Sequence, residues 1–477
     1  MNRRHGSVLV GVLWCVAVLS VVVIGGLHSS SLGLRIGHQF GDTIQARYLA
    51  LAGVERAKAL LYREAAQRRR SHVNHSGQLL DAPELFRDVP LGRGSFSVLH
   101  GDTGRGSVPI RYGVLDEESR LNVNTASAEE LGRLPFMPAE LVPAILDWRD
   151  DDDQVTPNGA EIESYAGLPS PYRPRNGPFQ SVAEMLMVRG VTRPLLVGED
   201  ANLNGLLDPE ENDGDLSQPP DNQDGVLDPG WSSWLTVSSA VENASASGEE
   251  RVNVQTADAA TLSTVPGITE AIAAGIVATR GAQEFQSIVD LLNVRAPAPQ
   301  DPGQSGFGPT PPPQGAAQPM VIESPRVQTG GGPGPAGRPA ASANLTGAPL
   351  ISESLLKDIA DSVTVSDATT LPGLVNVNTA GVEVLACLPG LDRELAQAIV
   401  SRRSSAGFFP NVAALLDVPG LTTDALRQLA PRVTTRSETF RILSEGLVPA
   451  TGARQRMEVI VHLGASDINT LAYRENL

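Results

Sequence analysis

Residues 200–211 read Asp-Ala-Asn-Leu-Asn-Gly-Leu-Leu-Asp-Pro-Glu-Glu, a twelve-residue run with oxygen-bearing side chains at regular intervals. Asp200, Asn202 and Asn204 stand at positions 1, 3 and 5, Gly205 at 6, Asp208 at 9 and Glu211 at 12, with the Leu206 carbonyl at 7. Calcium takes about six to eight oxygens from a tightly turned chain, so this spacing predicts a structural Ca2+ loop. A second run places Asn222, Asp224, the Val226 carbonyl and Asp228 at the same offsets, with Pro220 and Trp231 where positions 1 and 12 would fall. That loop is degenerate, and Asp213, Asp215 or Asp221 would have to help it hold an ion. The acidic residues 150–153 with Glu161 and Glu163 form a third cluster, which reads as a solvated face.

No catalytic constellation emerges. Cys15 lies in an apolar segment and Cys387 on the apolar side of a helix, where an inert buried thiol is the ordinary case. Two cysteines in 477 residues exclude a disulfide framework and a four-cysteine metal site. The seven histidines are scattered, and His72 and His75, in a polar loop, lack metal-ligand company. Gly303 and Gly308 bound a glycine-rich stretch without a phosphate-loop lysine. With 37 Lys and Arg against 54 Asp and Glu, the net charge of −17 argues against a phosphate-backbone binder. The reading is a non-enzyme.

The elements that must position these residues begin at the N-terminus. Arg3, Arg4 and His5 precede Gly6, and residues 7–27 carry no charge. A helix of that length spans roughly 31 Å, a bilayer core, and the flanking cations put its N-terminus in the cytoplasm. The run from 36 to 70 continues with apolar residues near helical spacing, Ile44, Tyr48, Leu51, Val54 and Leu61 among them. Strand-like alternation follows at 95–100 and 109–115, and again at 439–447 and 456–463. Between those pairs of strands lie three copies of one unit, which predicts a single sheet interrupted by a helical insertion.

The copies open with Leu121-Asn122-Val123-Asn124-Thr125-Ala126, Val252-Asn253-Val254-Gln255-Thr256-Ala257 and Val375-Asn376-Val377-Asn378-Thr379-Ala380. From the first Asn of each, Leu, Pro, Ile and Arg recur at offsets 9, 13, 23 and 27, ending at Arg149, Arg280 and Arg403. Such coincidence marks a structural repeat. Thr125, Thr256 and Thr379 are read as helix N-caps, and Phe179, Phe285 and Phe408 as preceding a second short helix. Residues 296–349, rich in Pro and Gly, read as a disordered linker.

The units resemble helix-hairpin-helix modules. Their turns, at Pro135-Phe136, Pro266-Gly267 and Pro389-Gly390, lack the second glycine that grips phosphate in that family, so nucleic acid is not favoured. With the glycine leader, the bilayer helix and the runs 115–126, 144–150 and 172–179, the chain resembles general secretion pathway protein K, the large minor pseudopilin of the type II secretion system.

That resemblance implies an α+β fold: a transmembrane helix running into a pilin-like helix and antiparallel sheet, with a large all-α insertion of hairpin (SAM-like) repeats. The expected division is a leader at 1–6, a span at 7–27, and a pilin-like part at 28–120 plus 433–464. Repeat domains would occupy 121–197, 252–295 and 350–432, with the calcium-type loops at 198–231. The resemblance further implies cleavage between Gly6 and Ser7 by a prepilin peptidase, with methylation, and calcium within the inserted domain. It implies I-type and J-type minor pseudopilins and the major pseudopilin as partners, and an inner-membrane anchor with a periplasmic head. Gly11, at the fifth mature position where such subunits usually carry Glu, implies a place at the pilus tip. Two alternatives from other classes are a membrane-anchored DNA receptor of competence type and a calcium-dependent surface adhesin.

Overall fold

The computed structural model describes residues 5–72, 77–101, 110–296, 348–464 and 467–475. The first four residues, His75 and nearly all of the Pro/Gly-rich segment, Gly303 and Gly308 included, lie outside the described residues.

Helix α1, His5–Ser71, runs 67 residues, about 100 Å at 1.5 Å per residue. Its segment Val8–Ser30 has a mean hydropathy of 2.9 and buries nothing within the chain. The composition switches near Asp42. From there Ala46, Leu49, Ala50, Val54, Ala57 and Leu61 recur every three or four residues and are buried, because that stripe lies on the sheet. At two glycines helix and sheet approach closely. A Cβ on Gly446 would lie 2.0 Å from the Ala46 carbonyl oxygen, and one on Gly53 would lie 2.1 Å from Ser444 Oγ.

The sheet contains β1 (Val89–Leu91), β2 (Gly94–Val98), β3 (Leu115–Asp116), β4 (Thr439–Val448), β5 (Ala453–Leu463) and β6 (Ile468–Glu475). Its order is β1-β2-β4-β5-β6, antiparallel throughout, with β3 pairing β4 beyond the end of β2. Ser444 pairs with Val98 and Phe440 with Asp116. The chain therefore leaves the sheet after β3 and rejoins it at β4, one residue slot away from where it left. The α+β fold, with an antiparallel sheet split by a helical insertion, is as the sequence implied. Two details differ. The strand expected at 109–115 is reduced to β3 and a lone bridge between His100 and Arg111, and the sheet does not stop at 464, since β6 pairs along β5 through residue 475.

Each inserted unit is closed by a two-residue parallel clasp. Leu121–Asn122 pairs with Leu235–Thr236, Val252–Asn253 with Val363–Thr364, and Val375–Asn376 with Val433–Thr434. The second clasp moves helix Glu353–Ile359 out of the third unit, where 350–432 had put it. Ile351, Leu356, Ile359 and Val363 share a core with Val254, Leu262, Ile272 and Ile276 of the second unit. The Pro/Gly-rich segment is thus bracketed within that unit, with Arg295 bridged to Pro349. The threonines are not the caps. Ser127 and Asp258 accept from the amides of Glu130 and Thr261, and Gly381 holds the third position. The first Asn of each unit folds the opening into an Asx turn, which moves the helix start two residues on. The second short helices are 3-10 turns, Val182–Met187, Ile288–Asn293 and Val412–Asp417.

Candidate functional site

The repeat signature has a direct physical meaning. Arg149 donates to the carbonyls of Val123 and Ala126, Arg280 to those of Val254 and Ala257, and Arg403 to that of Val377. The arginine at offset 27 therefore caps the carbonyls of its own unit's opening turn. The residue two after the first Asn reaches the phenylalanine segment instead. Asn124 exchanges two bonds with the Phe179 backbone, Asn378 two with that of Phe409, and Gln255 accepts one from the Phe285 amide. The third unit's partner is Phe409, not the neighbouring Phe408 that the sequence suggested. Gly390 packs against the main chain of Ala425, and Gly267 against Leu355, so these hairpin turns serve helix packing.

Residues 116–120 join the insertion to the sheet. Asp116 accepts from the Glu118 amide and from Asn376, Thr379 and Ser437. Glu117, fully buried, accepts from Thr236 and, at 2.6 Å, from Arg441 Nε on β4. Burial pushes Glu117 up, but the charges of Arg441 and Arg120 outweigh it and bring it down to about 2. Among the described residues, no cation pairs with Glu118. Burial and the neighbouring Asp116 carry it well above the ordinary carboxylate range, while it accepts from the Thr439 and Ala240 amides.

The first oxygen-rich loop contacts β4, β5 and β6 of this sheet. Leu206 is buried with Leu99 and Leu443. Arg474 donates to the carbonyls of Asn202 and Leu203, and Arg456 makes 2.6 and 2.8 Å contacts with both Asp208 oxygens. Within the loop, Asp200 accepts from the amides of Asn204 and Gly205, Asn202 from that of Asn204, and Asn204 from that of Leu206. Glu211 closes the circle by accepting from the amides of Ala201 and Asp208. Burial raises Asp200 to about 6, and burial with the nearby Asp200 and Asp208 charges raises Glu211 to about 7. Asp208 is also desolvated, yet Arg456 holds it below the ordinary range. Hydrogen bonds link Asp200, Asn202, Asn204, Asp208 and Glu211 around one turn, with the Asn202 and Asn204 side-chain amides donating to Asp208, which is also committed to a guanidinium.

The second loop repeats this backbone twenty residues on. Leu203 and Gln223 share φ near +60°, and Gly205 and Gly225 share φ values of 72° and 76°, the left-handed region where glycine is at ease. Asn222 accepts from the Asp224 amide and Asp224 from that of Val226, as Asn202 and Asn204 do in the first loop. Sequence reasoning missed its twelfth-position equivalent. Glu199, 7% exposed, accepts from the amides of Asn222 and Asp228, as Glu211 does for the first loop. It precedes the loop in the chain, and the bridge between Gly198 and Pro229 brings it there. Of the helpers named from sequence, Asp221 and Asp213 fix the neighbouring turn, Asp221 accepting from the amides of Asp213, Gly214 and Gln223.

The third acidic cluster divides. Asp151, Asp152, Asp153 and Glu163 are exposed, but Glu161 is 1% exposed and stands with the fully buried Asp147 and with Asp150. Burial, with the charges of Asp147 and Asp150, raises Glu161 to about 7. The expectation of a solvated face fails for these residues because Asp147 belongs to a core-facing helix. Gly6 and Ser7 lie near the start of α1.

A family model described as type II secretion system protein K matches residues 119–197, and one described as a helix-hairpin-helix motif matches 247–297 and 373–434. The chain is similar to the type II secretion system protein K of Klebsiella pneumoniae, 27% identical over 211 residues, and to that of Pectobacterium carotovorum, 28% identical over 204 residues. Each alignment covers 41% of this chain and 60% of the relative, so the chain spans about three fifths of the length of these proteins. A solved structure titled as the GspK–GspI–GspJ complex of enterotoxigenic Escherichia coli aligns over 92% of this chain and 99% of its own, at a TM-score of 0.43 and 12% identity.

Proposed function

We propose that this chain, similar over residues 119–197 to protein K of the type II secretion system, is a minor pseudopilin that caps a pseudopilus. The observation that carries the reading is the combination of one long helix with a split sheet. An apolar segment that the rest of the chain leaves unburied, Val8–Ser30, continues without a break into a stripe that packs on an antiparallel sheet. The 119–197 similarity lies in the insertion, next to that sheet. A filament subunit needs such a helix, one end in lipid and the other fixed to a head.

Under this reading the cut falls between Gly6 and Ser7, by a prepilin peptidase, and methylation follows on Ser7. The head is periplasmic, I-type and J-type minor pseudopilins flank it, and the major pseudopilin lies below. Gly11 leaves no carboxylate to receive a neighbour's amine from above, which suits a single copy at the tip. Calcium in the first loop would be held by Asp200, Asn202, Asn204, the Leu206 carbonyl and Glu211, with Asp208 shared with Arg456. The second loop would use Asn222, Asp224, the Val226 carbonyl, Asp228 and Glu199. The exported substrates would be folded proteins, and no catalytic step belongs to this chain.

The test is reconstitution. Full-length chain in detergent, mixed with candidate I-type and J-type subunits, should co-elute as a ternary complex, and N-terminal sequencing of membrane-extracted protein should begin at Ser7. Failure to form any complex, together with a mature start near His28 as an ordinary cleaved signal peptide would give, would sink the proposal. The DNA-receptor reading draws support from the hairpin similarity at 247–297 and 373–434. It predicts salt-dependent binding of duplex DNA, which a shift assay at low and moderate salt distinguishes.

A further inference from the structure

The sheet has two faces, and α1 covers one of them. Phe440 and Ile442 of β4 lie in the core that α1 shares, and so do Met457, Val459 and Val461 of β5. Successive strand residues point to opposite faces, so Arg441, Leu443, Glu458 and Ile460 look the other way. Arg474 and Ala472 of β6 pair with the last two. The insertion does not close down on that second face. Between them lies a cavity of about 960 Å3, walled by the sheet, the 203–207 turn of the first oxygen-rich loop and the segment 225–238. Leu99, Leu115, Leu203, Val237, Leu443 and Ile460 make most of its wall apolar.

One cation in that wall lacks a partner. Arg120 reaches the cavity from the junction and is only 8% exposed. Among the described residues its guanidinium makes no hydrogen bond, and its one ion pair, Nη1 to Glu117 Oε1, spans 4.0 Å, beyond hydrogen-bond reach. That oxygen already accepts from Arg441 Nε at 2.6 Å. Glu458 is shared by Arg441 at 3.2 Å and Arg474 at 2.8 Å. The other acids on the wall are engaged as well: Asp200 accepts from the Asn204 and Gly205 amides, Asp228 from Asn222, and Glu383 from Arg393. Glu117 and Glu458 thus serve three guanidiniums, and Arg120 is the one left over. Burial, with the Arg441 charge, lowers it to about 10, so it stays cationic at neutral pH. Charges taken out of water are ordinarily paired, and a guanidinium offers five donors in a planar fork.

We infer that this cavity binds a small amphiphilic monoanion, a carboxylate on an apolar chain, with Arg120 holding the carboxylate and the leucine-lined wall taking the chain. The guanidinium fork matches a carboxylate with two parallel bonds. One unmatched positive charge suits a monoanion; a doubly charged phosphate ester would carry an uncompensated charge into an apolar wall. Pockets of about 300–1,000 Å3, mostly apolar with a few placed polar groups, are the kind that small molecules occupy. The site depends neither on the assignment of the chain to a secretion pilus nor on an ion in the 200–211 loop. Its occupant would brace the insertion against the sheet, because Arg120 belongs to the junction while Leu443 and Ile460 belong to β4 and β5.

Trp234 also lines the cavity and reports its occupancy. Full-length protein carrying Trp14→Phe, which silences the exposed tryptophan of the apolar segment, is held in a maltoside detergent at about pH 8, where a carboxylic acid is ionised. Titration with ω-bromo-octanoate, its free concentration measured by dialysis, should quench tryptophan emission saturably, and Trp234→Phe should remove most of that quenching. The uncharged ω-bromo-octanol should bind the same cavity at least about tenfold more weakly. Arg120→Met should weaken the carboxylate by at least about tenfold and leave the alcohol unchanged. Glu117 keeps Arg441 in that variant, and circular dichroism verifies folding. If Arg120→Met does not fold, the comparison of acid with alcohol in the unaltered cavity decides by itself. Quenching that does not saturate or that survives Trp234→Phe, equal affinity for acid and alcohol, or undiminished carboxylate binding by folded Arg120→Met overturns the assignment.

Discussion

Arg441 should be the single side chain on which the junction between sheet and insertion depends most. Its Nε meets Glu117 Oε1 at 2.6 Å and its Nη1 meets Glu458 Oε2 at 3.2 Å, with the carboxylates 0% and 4% exposed. Arg441→Met removes the cation and leaves both acids in the interior, although Glu458 retains Arg474 at 2.8 Å. Breaking such a buried pair from one side costs about 3–5 kcal/mol. The pH linkage of Glu117 is of the same order for its surroundings as a whole: its descent from 4.5 to about 2, to which Arg441 and Arg120 both contribute, amounts to roughly 3 kcal/mol at about 1.36 kcal/mol per pH unit. Because the folded value is depressed, this contribution is full above about pH 4.5 and is lost as pH falls toward 2. Urea unfolding of the full chain at pH 7, followed by tryptophan fluorescence, should give a stability loss of about 3 kcal/mol for Arg441→Met. Glu117→Gln with Arg441→Met should recover part of it, since the stranded acid is gone. A loss below about 1 kcal/mol for Arg441→Met, or a double variant no better than the single, would refute the claim that the pair is a desolvated electrostatic clasp.

Gly446→Ala should destabilise by about 1–3 kcal/mol, although Gly to Ala in an open strand ordinarily helps, because the new methyl would sit 2.0 Å from the Ala46 carbonyl oxygen; thermal melts give the sign, and a neutral or stabilised variant would mean that α1 does not seat as described. Arg280→Met strands the Val254 and Ala257 carbonyls and should cost about 1.5–3 kcal/mol, read as a shift in urea midpoint. For the proposed loop site, Asp200→Ala with Glu211→Ala should remove its share of any calcium-dependent rise in melting temperature; saturation at a hundred times the dissociation constant is worth about 2.7 kcal/mol, and an undiminished rise would assign the ion elsewhere. For the tip placement, Gly11→Glu should leave export roughly intact, and immunolabelling that finds the head at regular intervals along a filament would overturn it.

The backbone of this reading was legible from local patterns. Charge-free residues 7–27, the helical spacing after Ile36 and the threefold recurrence of Asn, Pro and Arg each report a property of neighbouring residues, and such properties survive without knowledge of contacts. The offset-27 arginines could be counted in the sequence, but their carbonyl partners could not, since those depend on where a hairpin folds back. The caps were misplaced for a related reason: an Asx turn at the first Asn competes for the amide that a Thr cap would take, and only geometry decides between them.

The sites divide along the same line. In the first loop all the proposed donors lie within twelve residues, so the pattern alone names them. The second loop needed Glu199 from outside its own run, brought in by the bridge between Gly198 and Pro229, and the acidic cluster needed Asp147 from the inner face of a helix. Sequence determines which oxygens are available and which are close along the chain. Only the tertiary structure decides which carboxylates lose water and a partner together, because desolvation depends on what packs around a group, and that packing is supplied by residues far away in the chain.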